Sequence, residues 1–266
     1  MRDITKNKEK YCRYYAKRCE HLQDTDDIFL CPFGDRCTCR LAAEIQAYLH
    51  TILPHGYQRF TIFDFDGRKG TEELLEEKQV IRIKEKISQY CWGLSYSNLR
   101  DKGAKNRLEV DKSSIMDARR SEGDCVVIHG EATEKSGRTL VASIVLREAI
   151  RRRFTSNANA LQTYEWIEFE SLKAFAIEGK LTNYQYADWL VVDNIKVDID
   201  ASRHARNYIA SVIDPFFITR VEENLPTILV FRFHMRSAHP SMQQSLGTGI
   251  ERMVTKSGTV EISLSL

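Results

Sequence analysis

In the C-terminal two-thirds of the chain, short apolar runs rich in Val and Ile alternate with longer amphipathic segments. From about residue 113 the order is CVVIHG, GRTLVASIVLREAIRRRF, EWIEF, SLKAFAIEG, WLVVDNI, ASRHARNYIASVIDPFFITRVEE, TILVFRF, MQQSLGTGIERMV and TVEISLSL. Runs of the first kind are strands buried on both sides, and the segments between them are helices that cover the sheet. The pattern predicts an α/β domain with a parallel sheet and helices on both faces.

The pattern changes upstream. The run LAAEIQAYLHTIL reads as a helix that Pro54-His55-Gly56 breaks. A connector, YQRFTIFDFDGRKG, leads to TEELLEEKQVIRIKEKISQYCWGL, where Thr71 and the glutamates after it resemble an N-cap and first turn. The polar stretch 97–112 reads as an exposed loop. Two domains follow, a small one over 1–57 and a large one over 58–266, and 266 residues with 42% hydrophobic content can fill one substantial core plus a small module.

Charge narrows the function only a little. Thirty-nine Lys and Arg nearly balance 37 Asp and Glu, so any polyanion-binding surface must be a local patch. No run approaches the roughly 18 apolar residues that span a bilayer, and MRDITKNKEK lacks the apolar core of a secretory signal, so a cytoplasmic protein is expected. Of the seven cysteines, Cys12, Cys19, Cys31, Cys37 and Cys39 crowd one short span. In a reducing compartment that crowding points to metal ligation rather than disulfides. Cys91 and Cys125 stand apart and are expected to be buried thiols.

A phosphate site needs a buried strand, a glycine-rich turn, a basic residue, a Ser or Thr for Mg2+, and a helix that begins there. The chain supplies these parts in order: a strand over 125–129, a turn from Gly130 to Gly137 containing Lys135, then Arg138 and Thr139 opening a helix. The turn is two residues longer than GxxxxGK[ST], and Arg138 holds the lysine position, which Lys135 could offset. WLVVDN has the form of a Walker B strand, with Asp193 as the Mg2+-shell acid. Asn194 replaces the acid that would orient an attacking water; an amide cannot act as a base, so slow or absent hydrolysis is expected. Asp64-Phe65-Asp66 invites a two-carboxylate metal reading, but no matching third acid is identifiable.

Together these elements resemble the bacterial and phage replicative-helicase loaders and the insertion-sequence transposition helper ATPases of the AAA+ class. The resemblance runs over most of the chain in several pieces. CEHLQDTDDI and CTCR resemble that family's zinc module, and ILPHGYQRFTIFDFDG resembles the stretch linking it to the ATPase core. EWIEFESLKAFA, YADWLVVDNI, ITRVEENLPTILVF and LGTGIERMV follow the core's order. The resemblance implies an AAA+/RecA-like P-loop domain that binds ATP with Mg2+ and assembles as a homo-oligomer. It further implies that the protein meets DNA, read as single-stranded, and a replicative helicase or transposase-type machine. It places Arg252 where an arginine finger would enter a neighbouring subunit, and Arg232 where the family has a sensor Asn. Phe231 and Phe233 beside Arg232 favour ordinary strand alternation there instead, and Arg252 equally fits a solvated helix face.

The resemblance aligns Cys19 with the first cysteine of the family's upstream zinc pair and Cys37-Thr38-Cys39 with the downstream pair. Leu22 falls at the remaining ligand position, leaving Cys12, Cys31 or His21 to complete a four-ligand Zn2+ set. Tyr11, Tyr14 and Tyr15 among Lys10, Arg13, Lys17 and Arg18 could stack bases and neutralise phosphates, or could form a basic helix with one aromatic side. Arg151-Arg152-Arg153 could follow a nucleic-acid backbone or complement a helix dipole. An alternative of another class is a non-catalytic, zinc-containing assembly subunit that keeps the fold and has lost nucleotide chemistry.

Overall fold

The computed structural model describes residues 49–54, 56–58, 60–69, 72–73, 75–104, 125–130, 137–155, 163–196, 203–233 and 246–264. The five clustered cysteines, the basic tyrosine-rich stretch and Lys135 lie outside them. The chain divides into two compact units, Met1–Arg59 and Phe60–Leu266. Of the first, residues 49–52 are helical, and the Gln58 amide donates to the Leu53 carbonyl at 3.3 Å, closing the chain after Pro54.

The second unit opens with a two-residue antiparallel pair, β1 (Arg68–Lys69) and β2 (Glu72–Glu73). Helix α1 (Glu77–Trp92) follows, starting later than the sequence pattern suggests: its N-cap is Glu76, not Thr71. Glu76 and Gln79 form a reciprocal capping box that satisfies amides the first turn cannot pair. The helix stops at Gly93, whose left-handed φ of 62° lets its amide bond back to Gln89. Val80, Ile83, Ile87 and Cys91 form its single buried stripe. Part of the expected loop over 97–112 is also helical, as α2 (Tyr96–Ala104). Leu99, 3% exposed, anchors that otherwise polar helix; one apolar residue is too little periodicity to read from sequence.

The core of the unit is a five-stranded parallel sheet. Its strands are β3 (Val126–His129), β4 (Tyr164–Glu168), β5 (Trp189–Ile195), β6 (Thr227–Phe231) and β7 (Val260–Ser263), in the spatial order β4-β5-β6-β3-β7. The helices between them are α3 (Arg138–Thr155), α4 (Phe169–Ile177), α5 (Thr182–Gln185), α6 (Arg203–Glu222) and α7, helical over 246–255. The chain leaves β3 for the far edge at β4, walks back through β5 and β6, then passes β3 to add β7. This is the predicted α/β architecture, and the order is consistent with a P-loop AAA+ fold.

Strand alternation explains why helices cover both faces. Val127, Leu190, Val192, Leu229 and Phe231 share one core with Phe169 and Leu172 of α4, Ile213 and Phe217 of α6, and Ile250 and Met253 of α7. Val126, Ile128, Ile228 and Val230, next to them in sequence, must point the other way. On that side α3 packs against β3, β5 and β6, and α1 packs against α3 and β7. Helix α3 is thus sandwiched, so Val141, Ala142, Ile144, Val145, Leu146 and Ile150 are all completely buried. The α1–α3 seam is pinned by the Trp92 indole donating to Glu148 at 2.9 Å and the Cys91 thiol donating to the Val145 carbonyl at 3.6 Å. Cys91 and Cys125 are buried thiols outside any disulfide, as expected.

Two further contacts fix the helices at the rim. Gly249 of α7 lies so close to α6 that a β-carbon there would meet Phe217 Cβ at 2.7 Å, and the Asp214 carboxylate accepts from Thr248 Oγ1 at 2.8 Å. Arg220, fully buried on α6, donates to Thr227 Oγ1 and to the carbonyls of Tyr184, Gln185, Ala187 and Pro226. Burial pushes its guanidinium pKa down to about 10, and the converging acceptors hold it in place. Those acceptors lie on the turns leading into β5 and β6, so Arg220 ties α6 to the base of both strands. Arg220→Met strands several buried carbonyls and is expected to cost at least about 3 kcal/mol of unfolding free energy in denaturant titrations. Arg220→Lys should recover only part, because an ammonium lacks the planar fork.

Candidate functional site

In parallel sheets ligands bind beyond the carboxyl ends of the strands, where connections from neighbouring strands run to opposite faces. Strands β3 and β6 are such neighbours: β3 is followed by α3 on one face, and β6 by α7 on the other. The sequence-predicted phosphate residues stand at this point. Strand β3 is buried throughout and ends at His129, also buried, whose Nε2 lies 2.6 Å from Glu261 of β7. A β-carbon on Gly130 would come within 3.0 Å of the Leu264 carbonyl, so the next position accepts only glycine without a shift. Gly137 has φ +72° at the entrance to α3, and its carbonyl accepts the Val141 amide at 3.0 Å. The first amides of an 18-residue helix are thereby presented at the end of the sheet.

The structure brings the two halves of the predicted site together. Thr139, in the first turn of α3, donates its hydroxyl to Asp193 Oδ2 at 3.1 Å, across 54 residues of sequence. Asp193 is 3% exposed, and its other oxygen accepts the Asn194 amide at 2.7 Å. Burial pushes the Asp193 carboxyl above its ordinary range; the Asn194 amide, Thr139 hydroxyl and Arg138 charge oppose the shift, and the Glu168 charge adds to it.

Strand β5 bends at this residue. Val192 pairs with Leu229 but Ile195 pairs with Phe231, so β5 carries one extra residue, and Asn194 takes φ +59°. Such bulges re-aim side chains beside functional sites. Asn is among the few side chains that tolerate this backbone, which gives position 194 a conformational reason for its residue.

Arg138 departs from the simple expectation of a side chain reaching outward. It is 6% exposed, and its guanidinium bonds back to the Gly130 carbonyl at 3.2 Å, joining the two ends of the glycine turn. Its pKa is lowered by burial first and by Arg232 second, with Asp193 opposing. Arg232 therefore belongs to the site. It lies just past the end of β6, half-buried, with its amide bonded to the Ile195 carbonyl at 2.8 Å. Strand alternation, the other reading of Phe231-Arg232-Phe233, stops one residue too early to govern it. Two guanidiniums and a helix N-terminus thus stand at one spot, a combination chemically suited to an anion.

Of the other residues singled out in the sequence, Arg252 is exposed on α7 and Lys135 lies outside the described residues. Asp64 is engaged in a turn, accepting from the Thr61 amide and hydroxyl at 2.9 and 2.6 Å, and among the described residues no group of three or more His, Cys, Asp or Glu could hold a metal. Glu168, which the sequence did not single out, ends β4 in register with Asp193. Only the strand order reveals that neighbour.

No family model matches the chain, and no curated protein does. Among solved structures, the crystal structure of DnaI is similar over 79% of this chain and 94% of that chain, at 15% identity and a TM-score of 0.46. That likeness is too distant to add to the geometry. Among the described residues no helix is long and apolar enough to cross a membrane.

A carboxyl whose folded-state pKa is raised binds protons more readily folded than unfolded, so its ionisation lowers stability as pH climbs from the unfolded to the folded pKa. Asp193→Asn keeps the shape, and the Thr139 hydroxyl can turn to accept from the new amide. Its unfolding midpoint without added Mg2+ is expected to lie above that of the wild type at neutral pH. The difference should vanish below the ordinary aspartate range; a less stable variant at pH 7 would contradict this.

Proposed function

We propose that this protein is an AAA+ protein of the helicase-loader or transposition-helper kind, which holds a Mg2+-nucleotide and hydrolyses it poorly. The observation that carries this reading is the Thr139–Asp193 bond at the N-terminus of α3, flanked by Arg138 and Arg232. These residues fit the group they would bind. The amides opening α3 and the two guanidiniums suit phosphate oxygens, and Thr139 with Asp193 would hold the Mg2+ ion, which neutralises phosphate charge. Asp193, buried and raised in pKa, would gain from a cation, because the Asn194 amide, the Thr139 hydroxyl and the Arg138 charge offset its loss of solvent only in part.

The sequence resemblance supports the remainder of the proposal. The protein assembles with itself, Arg252 on the exposed side of α7 serving a neighbour's phosphate site, and it delivers or remodels a replication or recombination machine on single-stranded DNA. Residues 1–57 form a zinc module, with ligands drawn from Cys12, Cys19, Cys31, Cys37 and Cys39. One observation favours a second reading, a non-catalytic assembly subunit: Arg138 is folded onto Gly130 instead of projecting toward a ligand.

Equilibrium binding of a fluorescent ATP analogue separates the two. The first reading expects Mg2+-dependent binding that Thr139→Ala and Asp193→Ala each weaken by about tenfold or more, with turnover below the roughly 1 s⁻¹ low end of typical enzymes. Absence of binding would overturn it in favour of the assembly subunit. For the metal, elemental analysis of native protein should give about one equivalent of zinc, lost with unfolding of the N-terminal module on chelation. Less than about half an equivalent would remove the zinc module.

A further inference from the structure

Asn194 leaves the site without an acid at the position following the buried aspartate, yet a carboxylate stands one strand away. Glu168 closes β4 and pairs in register with Asp193 of β5. In-register residues on adjacent parallel strands project to the same face, with strands about 4.8 Å apart. The two carboxyls therefore share the carboxyl-end rim onto which α3 opens. Their electrostatic coupling agrees, since the Glu168 charge acts on Asp193.

Glu168 is not spent on structure. It occupies the N-cap position of α4, but its side chain makes no cap hydrogen bond to that helix, and the residue is exposed. Position 194, by contrast, is held at φ +59°, where a glutamate would be strained. A carboxylate can take a proton and an amide cannot. On this backbone the neighbouring strand is the better place for the acid.

Resting on the nucleotide reading given above, we infer that Glu168 is the catalytic carboxylate of this site, orienting and deprotonating the water that attacks the terminal phosphate. In that step the water oxygen forms a bond to the terminal phosphorus while the bond from that phosphorus to the bridging oxygen breaks. The bridging oxygen keeps the electron pair and leaves with the diphosphate. The water's proton passes to Glu168 and then to solvent, giving nucleoside diphosphate and inorganic phosphate. The slow turnover of the protein is thus the work of an acid on β4.

The test uses the full chain with Mg2+ and ATP, at concentrations high enough for self-association, with and without an oligo-dT strand. Glu168→Gln should cut turnover by about 100-fold or more, while Glu178→Gln on the loop after α4 serves as the control and should not. Affinity for the fluorescent ATP analogue should stay within about threefold for Glu168→Gln, and the nucleotide recovered from its desalted complex should be ATP rather than ADP. Without nucleotide, its unfolding midpoint at neutral pH should equal or exceed that of the wild type, because a like charge beside Asp193 is gone. Turnover within about threefold of wild type, or a lowered midpoint with a matching loss of affinity, would overturn the role of Glu168. So would binding of Mg2+-ATP by a wild type that never hydrolyses it. Failure of the wild type to bind Mg2+-ATP would instead overturn the nucleotide reading, and Glu168 with it.

Discussion

The Thr139–Asp193 hydrogen bond sets the geometry of the candidate site. It joins the first turn of α3 to the end of β5, two elements that are not sheet neighbours: β6 and β3 stand between β5 and the other edge, and α3 crosses above them. For the hydroxyl to meet the carboxylate, α3 must begin immediately after the glycine turn and lie flat on the sheet, and β5 must bulge at its end. The apolar face of α3, the left-handed Gly137 and the left-handed Asn194 each satisfy one of these conditions. A carboxylate kept almost free of water is costly to ionise, so the arrangement stores a demand for positive charge.

The arginines complete that logic from the opposite sign. Arg138 and Arg232 repel one another across the end of the sheet, and the Asp193 charge opposes the combined loss of solvent and repulsion at Arg138. On the proposed reading, phosphate oxygens would meet the guanidiniums and Mg2+ would meet the aspartate, so binding would depend on both nucleotide and cation.

Much of the large domain was legible in the sequence because its strands are buried on both faces, and their Val- and Ile-rich runs mark them directly. WLVVDNI became β5 and TILVF became β6 with little ambiguity. Helix α2 was not legible, since among its described side chains Leu99 alone is deeply buried. Nor was the start of α1, where Glu76 and Gln79 outcompeted Thr71 as the cap. Within the site, Gly137, Thr139 and Asp193 were found from motif order, but what joins them to Arg232 and Glu168 is strand adjacency. That adjacency arises from β5 and β6 folding back between β4 and β3, which leaves no mark at the residues it brings together. The conformation of Asn194 was hidden for a similar reason: its side chain reads as a lost acid, while the backbone shows a residue suited to a bulge.

A crystal structure of the full chain with Mg2+ and a non-hydrolysable ATP analogue decides whether the end of this sheet holds a phosphate chain and its cation. Phosphate oxygens are expected on the amides that open α3, Mg2+ between Thr139 and Asp193, and Arg138 released from the Gly130 carbonyl. A nucleotide bound elsewhere, or the Thr139–Asp193 bond and the Arg138 fold-back unchanged at saturating ligand, would contradict that arrangement.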